Sequence, residues 1–276
     1  AFGEISKNLG SGGAHLLYGV TGSGKTHVVT ALADVVLARG KSVLLLLPEI
    51  SLTLQIIDRL INRYGDLLAV LHSGLSVGER YDEYKRIRAG DARFVVGTRS
   101  AVFAPVENLG LVIVDEELEH TFKSDKSPRY DAKAVAGYRV AEEKALLLVA
   151  SATPSFESFY KAKKGRIGFS VLRERYNGEP LPKVLVDDMS RELAEGGRNI
   201  IGSVLAAEIA KNAEKHEQTI LFMNRRGYNS FVQCPKCKYV FTCKSCGIPM
   251  TYHAANDRLV CHYCGESKPA AAVCPV

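Results

Sequence analysis

The chain has 276 residues, of which 46% are hydrophobic and 24% charged, with a formal net charge of +6. Such proportions describe a globular protein with room for one large domain and a smaller one. The longest strongly apolar run, residues 43–47, is too short to cross a bilayer; no basic-then-apolar leader opens the chain, and the small basic excess permits a polyanionic partner without requiring one.

In chain order, short apolar runs at 15–18, 43–47, 68–71, 93–96, 111–114 and 146–150 read as strands. Helix-period segments lie between them at 26–38, 52–64 and 77–89. The second and third of these open with N-cap serines, Ser51 and Ser76, and Ser76 with Glu79 forms a capping box. Strand–helix alternation of this kind predicts an α/β fold, a mostly parallel sheet with helices on both faces. Residues 161–200, rich in charge, Gly and Pro, read as a linker after a domain at 1–160. A helix at 204–215 and a strand at 219–223 then read as the beginning of a second α/β domain over 201–232, interrupted by a cysteine-rich segment at 233–276.

Between the first strand and first long helix lies Gly19-Val20-Thr21-Gly22-Ser23-Gly24-Lys25-Thr26, which matches the phosphate-loop pattern G-x-x-x-x-G-K-[ST]. Glycines let backbone N–H groups converge on phosphates, and the helix start adds its positive dipole end. In this reading the chain binds ATP, Lys25 reaches the β- and γ-phosphates, and the Thr26 hydroxyl takes Mg²⁺. The run Leu111-Val112-Ile113-Val114-Asp115-Glu116-Glu117 ends a strand in three acids. Asp115 is predicted to hold Mg²⁺ through water and Glu116 to orient and deprotonate the attacking water.

All seven cysteines fall between Cys234 and Cys274. Whole Cys-x-x-Cys pairs occur at Cys234/Cys237, Cys243/Cys246 and Cys261/Cys264, a pattern of zinc ligands rather than of a disulfide framework. A partner for Cys274 at the same spacing would fall on the first position after the last residue. With the missing initiator Met, that predicts a piece of a longer protein. His253 and His262 are left outside the ligand set. Metal serves folding in such a small loop-rich segment, and partner contact and strand separation are compatible with it.

Further segments fall into register with superfamily-2 helicases: Leu47-Pro48-Glu49-Ile50-Ser51-Leu52-Thr53, Val96-Gly97-Thr98-Arg99-Ser100-Ala101, Ser151-Ala152-Thr153-Pro154-Ser155 and Phe222-Met223-Asn224-Arg225-Arg226-Gly227-Tyr228. With the cysteine pairs they resemble the bacterial primosomal replication-restart helicases, from about Gly19 to the end of the chain. The resemblance implies a RecA-like ATP-binding domain, the start of a second one and a zinc-binding insert. It implies ATP-driven 3′→5′ unwinding at stalled or D-loop forks in a cytoplasmic protein. The implied partners are forked or single-stranded DNA, primosome and other restart proteins, and single-stranded-DNA-binding protein, with no membrane. Of two implied Zn²⁺ sites, Cys243, Cys246, Cys261 and Cys264 complete one, and Cys234, Cys237 and Cys274 supply three ligands of the other.

By the same resemblance Thr98, Arg99 and Ser100 lie along a DNA backbone, although Arg99 reads equally as a salt-bridged surface residue. Ser151–Thr153 couples nucleotide state to strand movement. Residues 122–130 resemble an aromatic-rich loop in which Arg129 tracks phosphate and Tyr130 stacks on bases; the alternative is that Phe122 and Tyr130 pack on their own domain. The family's second-domain arginine finger, adenine-reading Gln segment and N-terminal DNA-binding modules are not among these residues. Two departures stand out: Leu118 follows Glu117 where the family has His, and Asp131 stands where His is common. They leave open a nucleotide-binding scaffold with hydrolysis uncoupled from DNA, beside the motor and a related translocase acting on RNA. The isolated chain is expected to bind ATP without unwinding.

Overall fold

The computed structural model describes residues 1–48, 54–189, 201–222, 232–234, 237, 239–253, 256–270 and 274–275. These form two compact units, Ala1–Leu181 and Pro182–Val276. In the first, helices α1 (Phe2–Lys7), α2 (Lys25–Ala38), α3 (Leu54–Tyr64), α4 (Val77–Ala89), α5 (Ala132–Glu143) and α6 (Phe156–Lys163) surround seven strands. The strands are β1 (Gly13–Gly19), β2 (Ser42–Leu46), β3 (Leu68–Leu71), β4 (Phe94–Gly97), β5 (Leu109–Asp115), β6 (Leu146–Ser151) and β7 (Gly168–Leu172). All pair in parallel, in the order β3-β4-β2-β5-β6-β1-β7.

The central strands β2, β5 and β6 are apolar except at one end each, Ser42, Asp115 and Ser151, because both sheet faces are covered. β2 and β6 are buried along their whole length. Successive side chains go to opposite faces: Leu44 and Leu46 join Val112, Ala136, Val140 and Ile87 on one side. Val43 and Leu45 join Ile113, Leu32, Val36 and Leu60 on the other. Helices α2 and α3 therefore cover one face, and α4, α5 and α6 the other. Local chemistry sets the helix ends. Ser76 and Glu79 make the capping box of α4, which stops at Gly90 with φ 82°, and Asp131 and Ser155 accept N–H groups at the starts of α5 and α6. In a parallel sheet every strand ends at the same edge, so the segments after β1, β5 and β6 gather there.

Strand β7 corrects the expected linker. Residues 168–172 pair with β1 along His15–Gly19 and close one side of the sheet. Its signal was weak because an edge strand is covered unevenly and so lacks a continuous apolar run.

The second unit holds helix α7 (Ser203–Glu214), in which no residue is buried. The strand expected at 219–223 is not formed at the described positions 219–222. Ile220 is 91% and Phe222 87% exposed, and no strand among the described residues pairs with them. Beyond lie β8 (Thr251–His253), β9 (Arg258–Val260) and β10 (Ser267–Pro269), antiparallel in the order β10-β9-β8. They enclose a small core of Phe241, Cys243, Met250, Leu259 and Cys261. Residues 49–53 of the segment after β2, with the expected cap Ser51, and residues 223–228 of the Asn-Arg-Arg-Gly segment lie outside the described residues.

Candidate functional site

The phosphate-loop sequence runs from the last residue of β1 to the first turn of α2. Gly24 holds φ 86° as the N-cap of α2 and Gly22 holds φ 78°, conformations that side chains resist. A Cβ on Gly19 would stand 2.6 Å from Ser23 Oγ and 3.1 Å from Lys25 Cγ, so a larger residue there would push both side chains out of the cradle. Lys25 Nζ donates to the Gly19 carbonyl at 2.8 Å and reaches that of Val20 at 3.5 Å. Ser23 Oγ is buried and has no hydrogen-bond partner among the described residues. A curled backbone, a lysine over it and an unpaired buried hydroxyl fit a polyphosphate. Val20, Thr21 and Thr26 complete the segment, with Thr26 exposed on the first turn of α2.

Asp115 ends β5, and its neighbour β6 separates it from β1. Burial pushes the Asp115 carboxyl above the usual carboxylate range. The Glu116 charge adds to the rise, while the Glu116 N–H, at 3.1 Å, and the Lys25 ammonium oppose it. A divalent cation between Asp115 and phosphate would relieve that burial cost. Glu116 itself adopts φ 48°, a left-handed conformation uncommon in non-glycine residues.

The third acid does something the sequence did not reveal. Glu117 is 1% exposed, and its carboxylate accepts from the Ser155 N–H at 2.8 Å and the Ser158 hydroxyl at 2.9 Å. Lys133 Nζ stands 3.5 Å from the same carboxylate and donates to the Glu117 carbonyl at 3.0 Å. The acidic turn after β5 is thereby tied to the start of α6, one residue after Ser151-Ala152-Thr153-Pro154. Ser151 ends β6, and its hydroxyl accepts the Thr153 N–H at 3.0 Å. Lys133 and Ser158 carry no motif, so only the fold brings them to Glu117. Leu118 is 51% exposed, and Asp131 serves as the N-cap of α5, accepting from Ala134 N at 3.0 Å.

The residues predicted along DNA separate into two groups. Thr98 is buried, so its hydroxyl offers no open surface. Among the described residues Arg99 has no salt-bridge partner: its guanidinium donates to the carbonyls of Thr121 at 3.0 Å and Lys123 at 2.6 Å and lies 6.0 Å from the Tyr130 ring centre. Arg99 thus fastens the aromatic-rich loop to the turn after β4. Phe122 is buried in the core beneath that loop, while Tyr130 packs edge-on against Phe103 at 4.8 Å and remains partly exposed. Ser100 and Arg129 are exposed.

In the second unit the sulfurs of Cys243, Cys246, Cys261 and Cys264 lie within 4.8 Å of one another, as do those of Cys234, Cys237 and Cys274. Zinc–sulfur bonds of about 2.3 Å in a tetrahedron place sulfurs about 3.8 Å apart, so the first group fits one zinc ion. Its two halves share a design. In each, a glycine after the second cysteine, Gly247 or Gly265, has positive φ and returns its N–H to the first cysteine's carbonyl at 2.9 Å. The Cys264 N–H aimed at Cys261 holds that thiol down to about 7. By contrast, the hydrogen bond to Glu266 raises Cys243 and that to Cys264 pushes Cys246 up to about 12, so bound metal would have to displace protons from those two thiols. His253 and His262 belong to neither group and face each other, Nε2 to Nε2, at 3.1 Å.

The profile of the DEAD/DEAH box helicase family matches residues 4–162, more than half of the chain. That of the PriA DNA helicase Cys-rich region (CRR) domain matches residues 243–269. Replication restart protein PriA of Bacillus subtilis (strain 168) is 46% identical over 260 residues, 94% of this chain and 32% of that protein. The protein of the same name from Synechocystis sp. is 42% identical, again over 94% and 32%, and that of Treponema pallidum 43% identical over 94% and 39%. The chain therefore spans about a third of the length of these curated relatives. Among solved structures, the helicase domain of Pyrococcus furiosus Hef shares 18% identity and a TM-score of 0.47 over 78% of this chain and 53% of that one. Its matched profile, its cysteine-rich region and its relatives agree with the motifs read above: the chain belongs to the DEAD/DEAH box helicase family and, within it, to the replication restart PriA group.

Proposed function

We propose that the chain carries the nucleotide-binding portion of an ATP-driven DNA helicase of replication restart, which remodels stalled or D-loop forks with 3′→5′ polarity. The observation that carries the reading is the glycine-curled loop between β1 and α2, with Lys25 folded over it, at the same edge of the parallel sheet where β5 ends in Asp115. In this reading the loop from Gly19 to Thr26 holds ATP, Thr26 and Asp115 hold Mg²⁺, and Glu116 takes the proton of the attacking water. Ser100 and Arg129, exposed, and Tyr130, partly exposed, are the residues suited to a DNA strand, with Arg99 fixing their loops and Thr98 turned inward. Zn²⁺ sits on Cys243, Cys246, Cys261 and Cys264; Cys234, Cys237 and Cys274 supply three ligands of a second site. Forked or single-stranded DNA, primosome and restart proteins and single-stranded-DNA-binding protein are the proposed partners of the whole protein.

The test is DNA-stimulated ATP hydrolysis by the longer protein, with Lys25→Ala as the inactive control. Stimulation by forked DNA that disappears in the variant supports the motor; indifference to DNA sinks it, and preference for RNA transfers it to another substrate. These 276 residues alone, about a third of their relatives, are expected to bind nucleotide without separating strands. A second reading, a scaffold whose hydrolysis is uncoupled from DNA, is favoured by Leu118, because a leucine cannot donate the hydrogen bond of the family's histidine. DNA stimulation that appears only in Leu118→His would establish it.

A further inference from the structure

The segment after β7, at 173–178, lies against the phosphate loop, and the proposed function does not use it. Two backbone bonds fasten it there: Val20 N–H to the Leu172 carbonyl at 3.2 Å and Tyr176 N–H to the Gly22 carbonyl at 2.8 Å. A tight turn then reverses the chain, with Gly178 at φ 71° donating to the Arg175 carbonyl at 3.0 Å. On this fixed pedestal the Tyr176 side chain is 86% exposed. Its ring lies 6.1 Å from that of His27, an exposed residue in the first turn of α2, at a tilt of 34°. Arg175, from the same turn, lies against Gly22: a Cβ on that glycine would meet Arg175 Cγ at 3.8 Å. Its Nε is buried with no hydrogen-bond partner among the described residues.

A large aromatic ring held in the open by a pinned backbone contributes little to folding, since it buries almost none of its surface. What it offers is a flat apolar face of the kind that stacks on a nucleobase. The position is also apt. Lys25 begins α2 and curls over the loop, and His27 comes two residues further on, exposed on the same first turn beside the space that phosphates would fill. Arg175 supplies a cation and an unsatisfied donor beside the loop itself.

Resting on the nucleotide reading of the loop, we infer that Tyr176, with His27 beside it, is the base-stacking wall of this site and gives it a preference for purine nucleotides. Arg175, with its buried unpaired Nε, stands beside Gly22 on the phosphate-loop side of the same turn. Adenine and guanine present larger stacking faces than uracil, so the preference follows from surface rather than from hydrogen bonding.

The test is equilibrium binding of ADP, UDP and inorganic tripolyphosphate to the full chain, comparing wild type with Tyr176→Ala, Tyr176→Phe and Lys25→Ala. The exposure of Tyr176 means the variants should fold, which circular dichroism checks. Losing one stacking contact is expected to weaken ADP binding about tenfold. The preference for ADP over UDP should collapse, tripolyphosphate affinity should stay unchanged, and Tyr176→Phe should behave as wild type. Unchanged ADP affinity in Tyr176→Ala, or an equal loss for ADP and tripolyphosphate, would overturn the inference while leaving the phosphate loop intact. Failure of wild type to bind either compound, with Lys25→Ala no different, would overturn the nucleotide reading and this inference with it.

Discussion

The carboxylate of Glu117 is nearly inaccessible, yet it meets an ammonium group, two hydroxyls and the N-cap amide of a helix. A buried charge is tolerated only when its lone pairs are occupied, and removing it strands every partner. Glu117→Ala should therefore lower stability by about 2–4 kcal/mol. The ion-pair share of that is modest, because the Lys133 side chain is 30% exposed and partly screened. Glu117→Gln keeps an acceptor for the serines and should lose less than half as much in urea denaturation. Equal losses would mean the charge, rather than the hydrogen bonds, holds the turn to α6. Gly19→Ala makes a complementary prediction: with Ser23 Oγ 2.6 Å and Lys25 Cγ 3.1 Å from the new methyl, both side chains must shift out of the cradle. Nucleotide affinity should fall at least tenfold while the melting temperature moves by only a few degrees.

At the scale of elements, β7 is held to the sheet by a polar chain. Asn8 Nδ2 approaches His15 Nδ1 at 3.4 Å, His15 Nε2 approaches Ser170 Oγ at 2.9 Å, and that hydroxyl donates to Glu4 at 2.5 Å. Because Ser170 gives its proton to Glu4, it must accept from His15, which assigns the neutral Nε2–H tautomer. Burial holds the His15 pKa below its ordinary 6.5, against the pull of Glu4. A depressed folded pKa stabilises above the unfolded value and loses that contribution as pH falls through the folded one. The melting temperature should thus drop on acidification from pH 7 to below 6, and His15→Gln, which keeps a hydrogen bond but cannot titrate, should flatten that part of the profile. A parallel decline in both proteins would exclude His15 as the cause.

The same element marks where sequence reading stops. The phosphate loop, helix α4 with its capping box, and strand β3 were legible because spacing within a few residues determines them. β7 depends on pairing with β1, 153 residues earlier at the His15–Gly168 register, and on the His15–Ser170 contact, neither of which has a local signature. Glu117 was visible as an acid but not as the partner of Lys133 and Ser158. Arg99 read as a DNA contact or a salt-bridged surface residue because nothing near it in sequence announced the carbonyls of Thr121 and Lys123. Conversely, the apolar run at 219–222 suggested a strand, but a strand exists only where another can pair with it.

Across the whole molecule, the two units reach stability by different means. Ala1–Leu181 contains no cysteine and buries an apolar cluster on each face of its sheet. Among the described residues, the cysteine-rich part of the other unit buries five in its core, two of them proposed metal ligands, Cys243 and Cys261. A core so small does not offset the entropy of ordering the chain, so metal must contribute to folding directly. Zinc analysis of purified chain should find at least one tightly held ion. Cys243→Ser should lose it, since three thiolates and a weak hydroxyl make a poorer tetrahedron, whereas Cys274→Ser should retain it because the complete four-sulfur group is untouched. Strong chelation should abolish hydrogen-exchange protection at Cys243, Met250 and Cys261, whose N–H groups close the knuckles and strand contacts there. Protection that survives complete removal of zinc would show that the cysteine-rich core folds without metal.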